Sequence, residues 1–343
     1  MILRKKAYAR VGLMGNPSDG YFGKTIASTI TNFSAEVALW ESPKLEITPH
    51  PEFDSMTFDG LAALRRRAQI EGYYGGLRLL FAACKKFYDF CEGHGISLER
   101  RNFTITYDTT IPRQIGLGGS TAIITATIFA LMEFYGLELG REIPKPVLPN
   151  LILSVETEEL DIAAGLQDRV VQVYGGTVFM DFSEALMVAQ GHGNYEYIDS
   201  RLLPPLFLAY TREGSESGKV HREVRFRYES GDPEVRGAMR EFAEYAVEAR
   251  AALLERDYAT FGALMNRNFD LRRRIFGDKA IAPTNLEMIE IARQHGCPSK
   301  FSGSRDAIVG VCLDPELWPR LREAYTSRGY AFTPLAVEVR DEE

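Results

Sequence analysis

The segment PRQIGLGGSTAIITA, residues 112–126, gathers the residue types that hold a polyphosphate. Glycines at 116, 118 and 119 remove the Cβ atoms that would keep a backbone from wrapping an anion, and a helix opening at Ser120 aims free N–H groups at it. Glycine content alone fits an ordinary strand-to-helix turn equally well. The spacing is not that of the nucleotide P-loop, which needs GxxxxGK followed by Ser or Thr. The segment GSESGKV at 214–220 imitates that loop, but its glycine spacing is short and Val220 cannot hold magnesium.

Downstream, SVETEELDIAAGLQDRVVQVYGG supplies carboxylates. Phosphoryl transfer to a hydroxyl needs that hydroxyl oriented and deprotonated, and a metal held at the phosphates. Two carboxylates divide those tasks. Taken alone, Asp168 reads equally as a first-turn aspartate stabilising a helix, and Glu156, Glu158 and Glu159 as a solvated helix face.

Residues 112–122 resemble the signature PxxxGLGSSxA of the galactokinase, homoserine kinase, mevalonate kinase and phosphomevalonate kinase (GHMP) family. The match falls on Pro112, Gly116, Leu117, Gly118, Ser120 and Ala122, with Gly119 in place of the first serine. The resemblance implies that ATP is bound through Pro112, Gly116, Leu117, Gly118, Gly119, Ser120 and Thr121, and that Ser120 contacts Mg2+. AGLQD resembles the family's second motif, which implies Asp168 as the catalytic aspartate. The upstream metal-binding glutamate then falls on Glu156, with Glu158 and Glu159 as alternatives. ARVGLMGNPSDGY is laid out like the galactokinase segment GRVNLIGEHTDY, which implies Arg10 as a cation beside the aspartate and the transferring phosphate. The same layout gives Asn16 and Asp19 as hydroxyl-binding groups, although Asn16-Pro17 replaces the Glu-His of that segment. In SKFSGSRDAIVGV, Gly303 and Ser304 match the C-terminal glycine-rich motif on the substrate side. Arg305 and Asp306 stand where the family commonly has glycine; they could seal the pocket, pair with each other or read a substrate group.

A finer resemblance, to the plant glucuronokinases, runs through ARVGLMGNPSDGYFGKT, EGYYGG, IPRQIGL, AGLQDRVVQVYGG, SGKVH, NFDLRRRIFG and SKFSGS. It implies a sugar 1-kinase acting on a sugar or sugar acid, foremost glucuronate. Galacturonate, a neutral hexose or a heptose are alternative substrates, and a non-catalytic nucleotide- and sugar-binding regulator is an alternative role. A carboxylate-bearing substrate calls for a cation in the pocket. In the helix expected over Tyr258–Phe276, the apolar stripe runs through Phe261, Leu264, Met265 and Ile275, and Asn268 and Arg272 fall within it. Arg272 is therefore either a clamp for the substrate carboxylate or a buried arginine paired with an internal one. Tyr73 and Tyr74 could stack on adenine or pack a helix break. The runs Arg65–Arg67 and Arg273–Arg274 read as solvated faces.

The elements that must position these residues follow from hydrophobic period. Strands are expected over 7–13, 26–40, 44–50, 103–111, 177–182, 206–210, 307–312 and 336–339. Helices are expected over 60–92, 121–135, 148–159, from about 165, through Val235–Leu253, and over 258–276, 286–294 and 315–328. Residues 183–203 read as a polar connection. At 343 residues two domains are expected, 1–190 carrying the phosphate loop and Asp168, and 191–343. The class is α+β; the family implies a ribosomal protein S5 domain 2-like N-terminal domain and a ferredoxin-like C-terminal one.

A formal charge of −7 argues against broad attraction to nucleic acid. Cys84, Cys91, Cys297 and Cys312 show neither CxxC pairing nor zinc-ligand spacing, which fits a reducing cytoplasm. MILRKKAYARVG is not followed by a signal-peptide core, and Thr121–Tyr135 is too short to span a membrane. The expected partners are thus ATP and a small sugar, with no nucleic acid and no membrane; monomer and homodimer both stay open.

Overall fold

The apolar run through Ala7–Leu13 forms an inner strand, and in the computed structural model that strand extends over Ile2–Met14 (β1). The structure describes residues 1–54, 57–65, 75–211, 218–278, 281–303 and 306–340, with 218–221 by backbone alone. Ser304, Arg305, Tyr73 and Tyr74 lie outside the described residues, as do Arg66 and Arg67; Arg65 is exposed. The chain forms two compact units: Met1–Ala9, Phe33–Ile111 and Gly118–Val173 make the first, and Arg10–Asn32, Pro112–Leu117 and Tyr174–Glu343 the second. These bounds differ from the expected 1–190 and 191–343, because β1 and the long strand Lys24–Glu41 (β2) each contribute to both units.

In the first unit, Glu46–Ile47 (β3) pairs in parallel with Phe103–Thr109 (β4), which pairs antiparallel with Ala35–Glu41 of β2. The helix expected over 60–92 is formed at Leu77–Gly93 (α1), and residues 61–65 are also helical. The next helix, Gly119–Phe134 (α2), is apolar nearly all round, so it is buried and not surface-lying. Leu148–Ser154 (α3) gives way to a wider π turn at Val155–Glu159 instead of continuing as one α-helix. Such turns re-aim side chains and recur at functional sites. The helix Leu166–Tyr174 (α4) follows.

In the second unit, Lys24–Ser28 of β2 pairs antiparallel with Thr177–Asp181 (β5). The segment 183–203, expected to be a connection, instead forms Glu184–Gln190 (α5) and Asn194–Ile198 (β6). β6 pairs antiparallel with β5, so the boundary expected near residue 190 falls inside a paired hairpin. Then come Leu206–Tyr210 (β7), Gly218–Glu229 (α6), Pro233–Leu254 (α7), Tyr258–Phe276 (α8), Pro283–Gln294 (α9), Ser299–Phe301 (β8), Ala307–Val311 (β9), Leu317–Thr326 (α10) and Ala331–Pro334 (β10). The last strand was expected over 336–339; β10 lies upstream, where Ala331–Pro334 meets Tyr210–Phe207, and Val337 makes an isolated bridge to Ile30.

The antiparallel sheet runs β10-β7-β9-β8, the ferredoxin-like order. Its helix-covered face buries Phe207, Phe269, Met288, Phe301, Tyr325 and Phe332. Each such side chain contributes about 1.5–3 kcal/mol when fully buried. Tyr325 keeps its hydroxyl satisfied by donating to the Met288 carbonyl at 2.7 Å. Among the described residues no helix is long and apolar enough to cross a membrane.

Candidate active site

In the first unit, Gly118 caps α2 in the left-handed region at φ 73°, a conformation that glycine adopts without strain. The N–H groups of the first turn, Gly119 to Thr121, have no carbonyl of their own helix to meet. Gly119 replaces the signature's first serine, and a Cβ there would lie 3.3 Å from Ile111 Cγ2. Ser120 is exposed and Thr121 is buried.

Glu156 projects inward from the π turn, with its side chain 2% exposed. Ser120 Oγ donates to Glu156 Oε1 at 2.8 Å, and Thr121 Oγ1 donates to Oε2 at 3.2 Å. Arg169, from α4, forms a buried ion pair with Oε2 and gives NH1 to the Gly165 carbonyl at 2.8 Å. The two oxygens of Glu156 are thus in different company: Oε1 lies beside the Ser120 hydroxyl, and Oε2 is neutralised by a guanidinium. Glu158 and Glu159 turn the other way, to Lys86 at 2.6 Å and Lys85 at 2.7 Å.

Asp168 sits in the first turn of α4 with its side chain 17% exposed and Oδ2 3.9 Å from Arg169 NH1. One helical turn on, Gln172 gives Nε2 to the carbonyls of Tyr8 at 2.7 Å and Gly118 at 3.1 Å. Residues four apart share a helix face, so Asp168 stands on the side of α4 that meets the glycine turn. The first unit therefore gathers Gly118, Ser120, Thr121, Glu156 and Asp168. Arg169 was missed, yet its signal was present: it falls within the stripe of Leu166, Val170 and Val173, where a charge must be partnered.

In the second unit, Arg10 is buried and holds the phosphate segment by its backbone. Its N–H donates to Leu117 O at 3.0 Å and its NH1 to Gly116 O at 2.6 Å. Pro112, Gly116 and Leu117 belong to this unit. A Cβ on Gly303 would come within 2.3 Å of the Gly116 carbonyl oxygen and 3.1 Å of Arg10 NH1, so only glycine fits there. Asp306, where the family favours glycine, is buried at φ 60°, a left-handed conformation that aspartate tolerates better than most residues.

Asn16 and Asp19 stand on the loop after β1. Asn268 pins that loop, accepting Gly15 N–H at 2.8 Å and donating to the Asn16 carbonyl at 3.2 Å. Arg272, one turn along α8, is buried as its place in the stripe predicts, and gives NH1 to Gly303 O at 2.8 Å. Its guanidinium carbon lies 5.3 Å from the ring centres of Phe276 and Phe301. Burial pulls the Arg272 pKa down to about 10, against the opposing pull of Asp19 and Tyr21.

Sequence reasoning missed Lys300, which is 1% exposed. Its Nζ donates to Gly12 O at 2.9 Å, Asn16 Oδ1 at 2.5 Å and Phe301 O at 2.8 Å. Burial first, then the fields of Arg272 and Arg10, hold its pKa well below the ordinary lysine value.

A glycine turn at a helix start, with a hydroxyl and two carboxylates on one unit, and a ferredoxin-like sheet on the other, define a class. The family model for the GHMP kinases N-terminal domain matches residues 78–176, and that for the GHMP kinases C-terminal domain matches residues 249–331. The chain belongs to the GHMP kinase family, whose members use ATP. It is 47% identical to Glucuronokinase 1 of Arabidopsis thaliana, covering 98% of this chain and 92% of that one. It is 48% identical to Probable glucuronokinase 2 of the same plant, over 97% and 91%. Among solved structures, Lactococcus lactis galactokinase complexed with galactose superposes at a TM-score of 0.75, with 14% identity over 98% of this chain and 94% of that one.

Proposed function

We propose that this chain is an ATP-dependent sugar 1-kinase that phosphorylates D-glucuronate at the anomeric hydroxyl, giving glucuronate 1-phosphate. The observation that carries the chemistry is the arrangement around Glu156, one oxygen beside the Ser120 hydroxyl and the other bound to Arg169, on the unit that also presents Asp168. The near full-length identity to two glucuronokinases supports the substrate.

Magnesium is bound by one or two carboxylate oxygens together with substrate phosphates, and Ser120 Oγ and Glu156 Oε1, 2.8 Å apart, fit that demand. When bound, the ion neutralises charge on the β- and γ-phosphates. Arg169 holds Oε2 of Glu156 and leaves Oε1 turned toward Ser120. The first-turn N–H groups of α2 hold phosphate oxygens. Asp168 accepts the proton of the anomeric hydroxyl, raising its nucleophilicity as the new bond to phosphorus forms. Arg10, whose guanidinium reaches the Gly116 carbonyl, is the cation that stabilises charge on the transferring phosphoryl group. Asn16, Asp19 and Gly303 contact the sugar, and Arg272 offers the cation for the C6 carboxylate. The four cysteines are all free, which fits a reducing cytoplasm.

The test is ADP release by pure protein with ATP, magnesium and a panel of glucuronate, galacturonate, neutral hexoses and a heptose. Turnover fastest on glucuronate is the expected result. A preference for another sugar overturns the substrate, and negligible sugar-dependent ADP release would make the chain a non-catalytic regulator.

A further inference from the structure

Lys300 and Asn16 pose a donor-counting problem. A lysine ammonium has three N–H donors and no acceptor. The structure gives Nζ three oxygens: two backbone carbonyls, Gly12 O and Phe301 O, and the side-chain oxygen of Asn16. The carbonyls can only accept. Asn16 alone among the three partners has an amide that can present either end, since rotating it exchanges Oδ1 and Nδ2.

The backbone around Asn16 is not free to adjust. Asn268, fully buried, holds Gly15 N–H and the Asn16 carbonyl. Asn16 is itself 4% exposed, and among the described residues no acceptor meets its Nδ2. An ammonium at Lys300 thus forces Oδ1 inward and leaves the NH2 group as the outward face.

We propose that Lys300 is a positioning residue that sets which end of the Asn16 amide faces the substrate, its ammonium turning Nδ2 outward to donate to a sugar oxygen. A neutral amine has two donors and one lone pair. The two carbonyls would take both donors, the lone pair would face Asn16, and the amide would reverse to present Oδ1 outward. The amide then meets a substrate oxygen that can only accept, such as a carboxylate oxygen, with the wrong polarity. The charged groups acting on Nζ are Arg10 from β1 and Arg272 from α8, with Asp19 beside Arg272. This inference rests on the sugar-kinase reading for its substrate, but the state of the amide does not depend on turnover.

The test has three arms. With whichever sugar wild type phosphorylates, Asn16→Asp keeps an acceptor for Lys300 and removes the donor; the sugar KM is expected to rise about tenfold, with the melting temperature and the KM for ATP retained. An unchanged sugar KM overturns the proposal. In wild type the sugar KM rises with pH as Lys300 loses its proton, and Lys300→Met abolishes that rise; a wild-type profile flat at every pH up to the ordinary lysine value of about 10.4 overturns it even if the aspartate variant folds poorly. The third arm needs no substrate. The Asn16 side-chain NH2 resonances, assigned by their loss in Asn16→Asp, shift with the same titration in wild type and are static in Lys300→Met. Static resonances in wild type overturn the proposal, whereas shifting resonances with no turnover on any sugar would leave it standing and sink the kinase substrate reading instead.

Discussion

The two units solve the problem of buried charge differently. In the first, Glu156 is neutralised by Arg169, and Arg169 also lies 3.9 Å from Asp168, so the carboxylates carry their counter-charge within the unit. In the second, Lys300 is solvated by carbonyl and amide oxygens, while Arg10 and Arg272 each give a guanidinium nitrogen to a backbone carbonyl. Oxygen dipoles satisfy the hydrogen-bonding of a cation but do not cancel its charge. The first arrangement sets a guanidinium against its buried carboxylate; in the second, carbonyl and amide oxygens meet the buried cations, with Asp19 acting on Arg272.

The strongest way to break this contrast is Asp168→Asn. If the first unit does the proton chemistry, kcat falls by about 10²- to 10⁴-fold with ATP binding nearly intact, measured by turnover and nucleotide titration. Retained turnover would remove Asp168 from the mechanism. Next comes Glu156→Gln. The amide offers one acceptor and one donor where the carboxylate offered two acceptors, so either Ser120, or Arg169 together with Thr121, loses its acceptor, and Arg169 loses its counter-charge in both cases. Leaving Arg169 buried without its counterion is expected to cost about 3–5 kcal/mol in denaturant unfolding. A loss below about 1 kcal/mol, the scale of an exposed pair, would mean that the charge is not compensated internally.

How much of this was legible depends on how far apart the partners lie in sequence. The glycine turn, α2 and α8 announce themselves through local composition and period, and the burial of Asn268 and Arg272 follows from their place in an apolar stripe. Arg169 carried the same signal within Leu166, Val170 and Val173. Choosing among Glu156, Glu158 and Glu159 was not possible on α-helical spacing, because the π turn at 155–159 breaks that period and aims only Glu156 at Ser120. Lys300 was invisible for another reason. Its burial is created by Gly12 and Asn16, nearly the whole chain away, and a three-residue strand is too short to show which side chains point inward. The hairpin β5-β6 was missed because Asn194–Ile198 is a mostly polar edge whose strand state comes from pairing.

Arg272→Ala sharpens the second half of the comparison. A guanidinium that reads the substrate carboxylate contributes about 1.5–3 kcal/mol, so the KM for glucuronate should rise roughly 10- to 100-fold while that for glucose moves much less. An equal rise for the acid and its uncharged parent would mean that Arg272 only supports the Gly303 carbonyl.

The smallest effect is the pH dependence of stability, and it probes the field of the second unit without any substrate. Lys300 has a folded pKa well below its ordinary 10.5, because burial and the charges of Arg272 and Arg10 disfavour the ammonium. Between that lowered value and 10.5 the unfolded chain holds a proton that the folded chain has released, so stability rises with pH through this window. Lys300→Met lacks the titration. Its melting temperature relative to wild type is expected to fall as pH is raised, a change of roughly 2–4 °C for each kcal/mol. Measuring the difference between the two proteins, and not either alone, cancels the other lysines and the tyrosines that titrate at the same pH. A difference that stays flat, or that moves against wild type, would mean the ammonium sits comfortably among its three oxygens.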